Sequence, residues 1–293
     1  TQESVQKKEN LSGAFSLPVE QKLLKQYKAQ VEWLMDRLKK STAGVRGATL
    51  VLTDTEWKNT LSKNTAEERV DYLNERYQKV NAWEEESLQL HPFIVALFAQ
   101  AYADYIKKNF SPDMQGEFVG YDERFFSLEY ADIITRVLSG NGLKVKRDID
   151  GSTATPVSSY MGYYFGLSGS MEVTSSHNPP YQNGIKSATF YGGVDTNDIS
   201  DQIAQEIDLL YNSGIGSGFI HYAALENNPL VEYVDAKQIY FDNYISKLYP
   251  PQAIENIKQA MDQGAKFIFD GIWGVGGKTI KYYLDRLFGD YPW

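Results

Sequence analysis

Thr174-Ser-Ser-His-Asn-Pro-Pro-Tyr-Gln-Asn-Gly-Ile-Lys186 is the stretch of this chain best equipped for chemistry. It puts a hydroxyl (Ser176), an imidazole (His177), a carboxamide (Asn178) and, ten residues after the hydroxyl, an amine (Lys186) on one segment. The β-prone Met171-Glu-Val173 precedes it, and Ile185 and Phe190-Tyr191 follow. Pro179-Pro180 and Asn183-Gly184 are turn formers. The pattern predicts a strand, a stiff exposed loop and a return through a turn. Such a loop holds a hydroxyl ready for a ligand at little entropic cost. Ser, Asn, Pro and Gly are ordinary loop residues too, and a Ser-His pair alone is usually no more than that. The whole string is far more specific than its parts.

Other elements must position that loop. After a polar arm, Leu23, Tyr27, Val31, Leu34, Met35 and Leu38 recur at helical spacing to about Lys40. Ser41-Thr-Ala-Gly-Val-Arg-Gly47 interrupts this helix with small residues and one arginine, Arg46. Thr65-Ala-Glu-Glu68 reads as a capping box, and Pro92 opens a further helix. Glu117-Phe-Val-Gly-Tyr121 is a strand ending in Asp122 and Arg124, with Ser127 as the N-cap of a helix to Leu138. Polar groups at a strand's C-terminal end lie where open α/β sheets bind ligands. A surface Asp–Arg pair is the plainer explanation of those two residues.

Leu143–Arg147 is the next strand and Thr155-Pro156 starts the next helix. The alternation predicts an α/β fold: a mixed, mainly parallel sheet sandwiched by helices. A helix over Asn197–Tyr211 follows, then the linker Ser213-Gly-Ile-Gly-Ser-Gly218 and helices near 235–248 and 251–262. Lys266–Asp270 reads as a buried strand, followed by a glycine turn and a helix to Phe288. That unit lacks the glycine and lysine spacing of a nucleotide site.

Composition bounds the function. The 293 residues, 42% hydrophobic and 23% charged, predict a globular protein of roughly two domains at ~100–200 residues each. A net charge of −9 argues against nucleic acid or an anionic membrane as partner. There is no cysteine, and His91, His177 and His221 are too scattered for a zinc motif. No apolar run approaches the ~18–20 residues that span a membrane. The chain begins with Thr1 and shows no signal-peptide pattern, which makes the cytoplasm the expected compartment.

The 174–186 string resembles the active-site loop of the α-D-phosphohexomutases, Thr-x-Ser-His-Asn-Pro followed by Gly-x-Lys. Ser41–Gly47 resembles the family's opening Gly-Thr-Ala/Ser-Gly-x-Arg-Gly motif, with Lys40-Ser41 where Phe-Gly is common. Gly120, Asp122, Arg124 and Ser127 match Gly-x-Asp-x-Arg-x-x-Ser, and Thr155-Pro156 matches a family Thr-Pro. Pro179-Pro180, Gly184-Ile-Lys186, Gly192-Gly193 and Asp195-Thr196 are most similar to bacterial-type phosphoglucomutases.

The resemblance implies transfer of a phosphoryl group between C1 and C6 of a hexose through a bisphosphate, glucose 1,6-bisphosphate for a glucose enzyme. Ser176 would carry the phosphoryl group, and its phosphate oxygen would ligate Mg2+. Lys186 and Arg46 fall on positions implicated in proton transfer and phosphate stabilisation, and a lysine serves as a base only where burial or cations lower its pKa. His177 would orient the phosphate or the loop, Asn178 would brace the turn, and Arg124 would face the ligand. A phosphomannomutase, or a non-catalytic phosphosugar-binding or regulatory module on the same fold, are the alternatives.

The resemblance also implies missing pieces. No Asp-Gly-Asp-x-Asp-Arg metal loop, Glu-x-Ser-Gly sugar loop or Arg-x-Ser-Gly-Thr phosphate loop occurs; Asp148-Ile-Asp150 and Asp195–Asp198 are the nearest strings. The expected organisation is an arm and helix (1–40), a phosphoserine-bearing first domain (41–212) with an insertion at 54–90, and a linker with a partial second domain (213–293). The chain reads as the N-terminal half of a longer enzyme or a natural truncation. Missing domains or a second subunit would then cover the aromatic-rich residues 266–288.

Overall fold

Strand and helix formers alternate through the middle of the chain, and the architecture follows from that alternation. The structure is a computed structural model, and it describes residues 15–18, 25–40, 44–49, 59–60, 62–79, 88–212, 219–272 and 274–289. In order come β1 (Phe15–Pro18), α1 (Lys28–Lys40), β2 (Val45–Ala48), α2 (Ala66–Gln78), α3 (Pro92–Asn109), β3 (Gly116–Tyr121) and α4 (Ser127–Gly140). Then follow β4 (Lys144–Asp148), α5 (Thr155–Tyr164), β5 (Gly169–Val173), β6 (Gln182–Thr189) and α6 (Asn197–Asn212). The last are β7 (Phe219–Tyr222), β8 (Val231–Val234), α7 (Ala236–Tyr240), a π-helical turn (Phe241–Ile245), α8 (Ser246–Leu248), α9 (Pro251–Asp262) and α10 (Gly276–Phe288).

Several helix starts follow local chemistry. Thr65 and Glu68 form the reciprocal capping box at α2. The His91 ring accepts the Phe93 N–H at α3, whose first position is Pro92. Fourteen of the eighteen residues of α3 are buried, so this helix is a core element and not a surface one.

The main sheet has the order β2-β6-β5-β3-β4-β8. β3 runs parallel to β4 and β5, and β8 runs parallel to β4. β6 is antiparallel to both β5 and β2. β1 and β7 form a separate antiparallel pair. One face of the main sheet packs against α1, α3, α4 and α6 through a core that includes Val31, Ile94, Leu97, Tyr130, Ile134, Met171 and Ile207. Phe118, Val157, Met161, Leu167, Ala236, Tyr240 and Tyr283 form a smaller core on the other face. This is the mixed α/β sandwich that the alternation predicts.

Three local expectations are corrected. Asn183-Gly184 is no turn: both residues lie inside β6, where Gly47 and Arg46 of β2 pair with them. A turn former yields to the sheet here because Asn183 donates to Phe125 O and Ser127 Oγ, locking it in place. Ser127 is no N-cap either; Phe126, at φ 62, precedes α4 without a side-chain cap, and Ser127 Oγ donates to Asp122 Oδ1. Lys266–Asp270 forms no strand, and Ile268 is 91% exposed. An apolar run becomes a strand only with a neighbour to share its ladder, and among the described residues none pairs with it. Tyr283 and Phe288 of the same region are buried within the chain, Tyr283 stacking on Phe241 with centroids 5.9 Å apart.

Residues 213–218, read above as a linker, lie outside the described residues. The sheet nonetheless runs past residue 212, because β8 is hydrogen-bonded along β4.

Candidate functional site

β5 and β6 are antiparallel neighbours, so the chain between them must reverse direction at the end of the sheet where parallel β3 and β4 also terminate. Ser176 lies in that reversal, with Asp122 and Arg124 just beyond β3. Two of the sequence motifs therefore converge at the C-terminal edge of the parallel strands, the usual ligand edge of such a sheet.

Ser176 is exposed and sits at φ 58, a left-handed conformation that costs a side chain energy unless its surroundings impose it. Here they do. Its N–H donates to Thr174 Oγ1 at 3.0 Å, and Thr174 in turn donates to Asp122 Oδ2 at 2.6 Å. Its carbonyl accepts from Arg124 Nη2 at 2.6 Å. The same guanidinium donates through Nη1 to the carbonyls of Pro179 (3.0 Å) and Gln182 (3.2 Å), and its Nε lies 3.2 Å from Asp122 Oδ2. Arg124 is thus the brace of the loop as well as a cation beside it. Asn178 donates to Gln182 Oε1 at 2.9 Å, tying the start of the loop to its end. His177 Nδ1 is 3.4 Å from Ser176 Oγ, a long contact. The neighbouring Ser175 is turned inward and buried, which leaves Ser176 as the hydroxyl presented to solvent.

Arg46 and Lys186 come to the site through register. Arg46 of β2 pairs with Gly184 of β6, two residues before Lys186, which places both side chains on one face of the sheet. Burial first, and then the Arg46 charge, lower the pKa of Lys186. Among the described residues no hydrogen bond joins Lys186 or Arg46 to Ser176; what links them to the loop is the sheet and their charge. Arg124 bonds the Ser176 carbonyl directly, Asn178 ties the same loop to Gln182, and Arg46 and Lys186 form the loop's flank.

Sequence reasoning missed Thr174 as the bridge between Asp122 and Ser176 N–H, although it is the first residue of the motif. It also missed Glu172, buried across the strand pair from Lys186; only the register could have found it. Among the described residues no group of three or more His, Asp or Glu side chains could hold a metal ion. Asp122, the carboxylate tied to the loop, spends its oxygens on Arg124, Ser127 and Thr174. The described residues do not supply a Mg2+ site.

Residues 77–212 match a family model described as phosphoglucomutase/phosphomannomutase, alpha/beta/alpha domain I. This segment belongs to the α-D-phosphohexomutase family. The phosphohexomutase segment contains α3 to α6, β3 to β6 and the Ser176 loop, while Arg46 lies outside the match. A phosphoglucomutase of Staphylococcus haemolyticus is 29% identical over 199 residues, which is 68% of this chain and 34% of that protein. A phosphomannomutase of Mycoplasma genitalium is 24% identical over 200 residues, with the same two shares, 68% and 34%. The chain thus spans about a third (34%) of the length of these relatives. The fold is shared with the open form of the Paramecium exocytosis-sensitive phosphoprotein parafusin, a phosphoglucomutase. That likeness has a TM-score of 0.55 at 19% identity and covers 95% of this chain and 43% of that one.

Proposed function

We propose that this chain is the phosphoryl-carrying part of a phosphosugar mutase that moves a phosphoryl group between C1 and C6 of a hexose, glucose in the first instance. The observation that carries this reading is the setting of Ser176. It is an exposed hydroxyl on a backbone pinned at both its N–H and its C=O, flanked by strands bearing Arg46 and Lys186. In the giving step the sugar oxygen bonds to phosphorus, the bond from phosphorus to Ser176 Oγ breaks, the sugar hydroxyl loses its proton, and the released Ser176 oxygen takes up a proton to become the free hydroxyl. Lys186, with its lowered pKa, is the amine suited to receive that proton. Recharging runs the same way in reverse from glucose 1,6-bisphosphate. Arg46 and Lys186 supply the positive charge that phosphoryl transfer requires.

The proposal includes Mg2+ as a further neutralising ion, ligated by the phosphate oxygen on Ser176 and otherwise by groups other than the described residues, and a cytoplasmic setting. Further polypeptide or a second subunit is the proposed cover for the exposed Phe267–Phe269. Glucose is preferred to mannose on the Pro179-Pro180, Gly184-Ile-Lys186 and Gly192-Gly193 details alone.

The test is intact-mass analysis of protein prepared without phosphatase and then incubated with glucose 1,6-bisphosphate. Wild type is expected to gain the mass of one phosphate, and Ser176→Ala to gain none. An adduct that persists in Ser176→Ala sinks the assignment.

A second reading is favoured by the lack of a metal-binding set among the described residues: a phosphosugar-binding module without turnover. Calorimetric titration with glucose 1,6-bisphosphate beside a coupled mutase assay separates the two. Binding without turnover supports the module.

A further inference from the structure

Beneath Lys186 lies a buried acid that the carrier loop does not use. Glu172 of β5 stands directly across from Lys186 of β6 and is 3% exposed. No charged group bonds its carboxyl oxygens; the hydroxyl of Ser158 on α5 is the side-chain donor beside them. Gly120 of β3, in register with Glu172, makes the room for both. A Cβ at Gly120 would overlap Glu172 Oε2 and stand 2.8 Å from Ser158 Oγ. The carboxyl is therefore housed over a glycine, in a space shaped for it, with a neutral hydroxyl beside it and no cation bonded to it.

The charged groups facing this carboxyl are few. Lys186 faces it from β6, Asp122 from the end of β3 and Asp148 from the end of β4. Two of the three are acids, and Asp148 is itself held up to about 6, chiefly by burial. Lys186 makes no hydrogen bond with Glu172, and is faced in its turn by Arg46, Asp122 and Arg124. A buried carboxylate with only one hydroxyl to donate to it is disfavoured and takes up a proton instead. Burial pushes Glu172 well above the usual carboxylate range.

We propose that Glu172 is a positioning residue for Lys186, kept as an uncharged acid so that the amine answers to Arg46 and to a phosphoryl group on Ser176, with no carboxylate beneath it to neutralise it. This rests on the carrier role of Ser176 proposed above. An ionised Glu172 would cancel the charge of Lys186 and repel an incoming phosphate; an apolar residue would give up the polar contact surface over Gly120. A neutral carboxyl fills the space without doing either.

The test reads Lys186 directly. Lysines are labelled by reductive 13C-methylation, the Lys186 signal is assigned with Lys186→Arg, and its titration is followed by NMR in wild type and in Glu172→Gln. A neutral-for-neutral exchange is expected to leave the Lys186 inflection where it is. A fall of ~1 pKa unit or more in Glu172→Gln would mean that an ionised partner had been removed, and overturns the proposal. Thermal stability gives a second readout. An acid whose folded pKa is raised contributes stability that is full below its unfolded pKa and is lost as pH rises through the folded value. Wild type is therefore expected to lose Tm more steeply than Glu172→Gln as pH rises above the ordinary carboxylate range, and superimposable Tm profiles also overturn the proposal. Glu172→Met repeats both readings should the glutamine variant fold poorly. Neither measurement needs phosphoryl transfer. A wild-type chain that never takes phosphate on Ser176 defeats the carrier reading, whereas a shifted Lys186 inflection defeats this one.

Discussion

Arg124→Ala is expected to abolish phosphate uptake at Ser176 while leaving the sheet folded. The guanidinium bonds the carbonyls of Ser176, Pro179 and Gln182 and pairs with Asp122, so one side chain fixes both ends of the Ser176 loop. Arg124 and Asp122 are both largely shielded, with side chains 14% and 13% exposed, so the pair is not a solvated surface bridge. Removing one partner strips three charge-assisted hydrogen bonds and strands a shielded carboxylate, a loss on the order of 3 kcal/mol. The functional loss is expected to be larger. With its carbonyl released, Ser176 keeps only its N–H bond to Thr174 to hold it at φ 58, and an ångström of misplacement costs on the order of a hundredfold in rate. Arg124→Lys should rescue little, because an ammonium on a flexible stem cannot span three carbonyls in a plane. The rate of phosphate gain from glucose 1,6-bisphosphate, followed by intact mass, is the measurement, with the urea midpoint taken alongside. Uptake at the wild-type rate in Arg124→Ala would show that the loop holds itself.

The Ser176 loop was legible in the sequence because its chemistry is local. A hydroxyl, an imidazole and two prolines in one string need no tertiary information to stand out. The sheet was legible as an alternation of strand and helix formers, and Pro92, Thr65 and Pro156 marked helix starts that the structure keeps. What local pattern could not supply was register. Arg46 and Lys186 stand 140 positions apart in number, and only the pairing of β2 with β6 makes them neighbours. Glu172 was hidden for the same reason: in sequence it is one acid in a short strand, and only its place opposite Lys186 and above Gly120 gives it meaning. Asn183-Gly184 misled because turn propensity is weak against a strand whose side-chain anchors, Phe125 O and Ser127 Oγ, come from elsewhere. Lys266–Asp270 misled in the opposite sense, since a strand is a property of two segments and the string shows one.

Gly184→Ala is expected to break the site from the side of the sheet. Gly184 lies in β6 between β2 and the end of β5, and the Thr174 N–H donates to its carbonyl at 2.9 Å. A Cβ there would stand 2.5 Å from Val45 O, 2.8 Å from Thr174 O and 2.9 Å from Arg46 Cγ. Two of those three atoms are main-chain carbonyls on opposite sides, so no side-chain rotation relieves the crowding. β2 must move off β6, and Arg46 moves with it. Overpacking of this kind costs about 1–3 kcal/mol. Phosphate uptake at Ser176 should fall by roughly ten- to a hundredfold, because Thr174 and Arg46 are displaced together. Gly142→Ala is the control. Gly142 sits at φ +83 with nothing within 4 Å of a new Cβ, far in the chain from the loop. That substitution pays only the left-handed backbone penalty of about 1–2 kcal/mol, and it should lower the urea midpoint with uptake unchanged. If Gly184→Ala and Gly142→Ala lose stability alike and both charge Ser176 at the wild-type rate, the flank formed by β2 plays no part in placing the phosphoryl group.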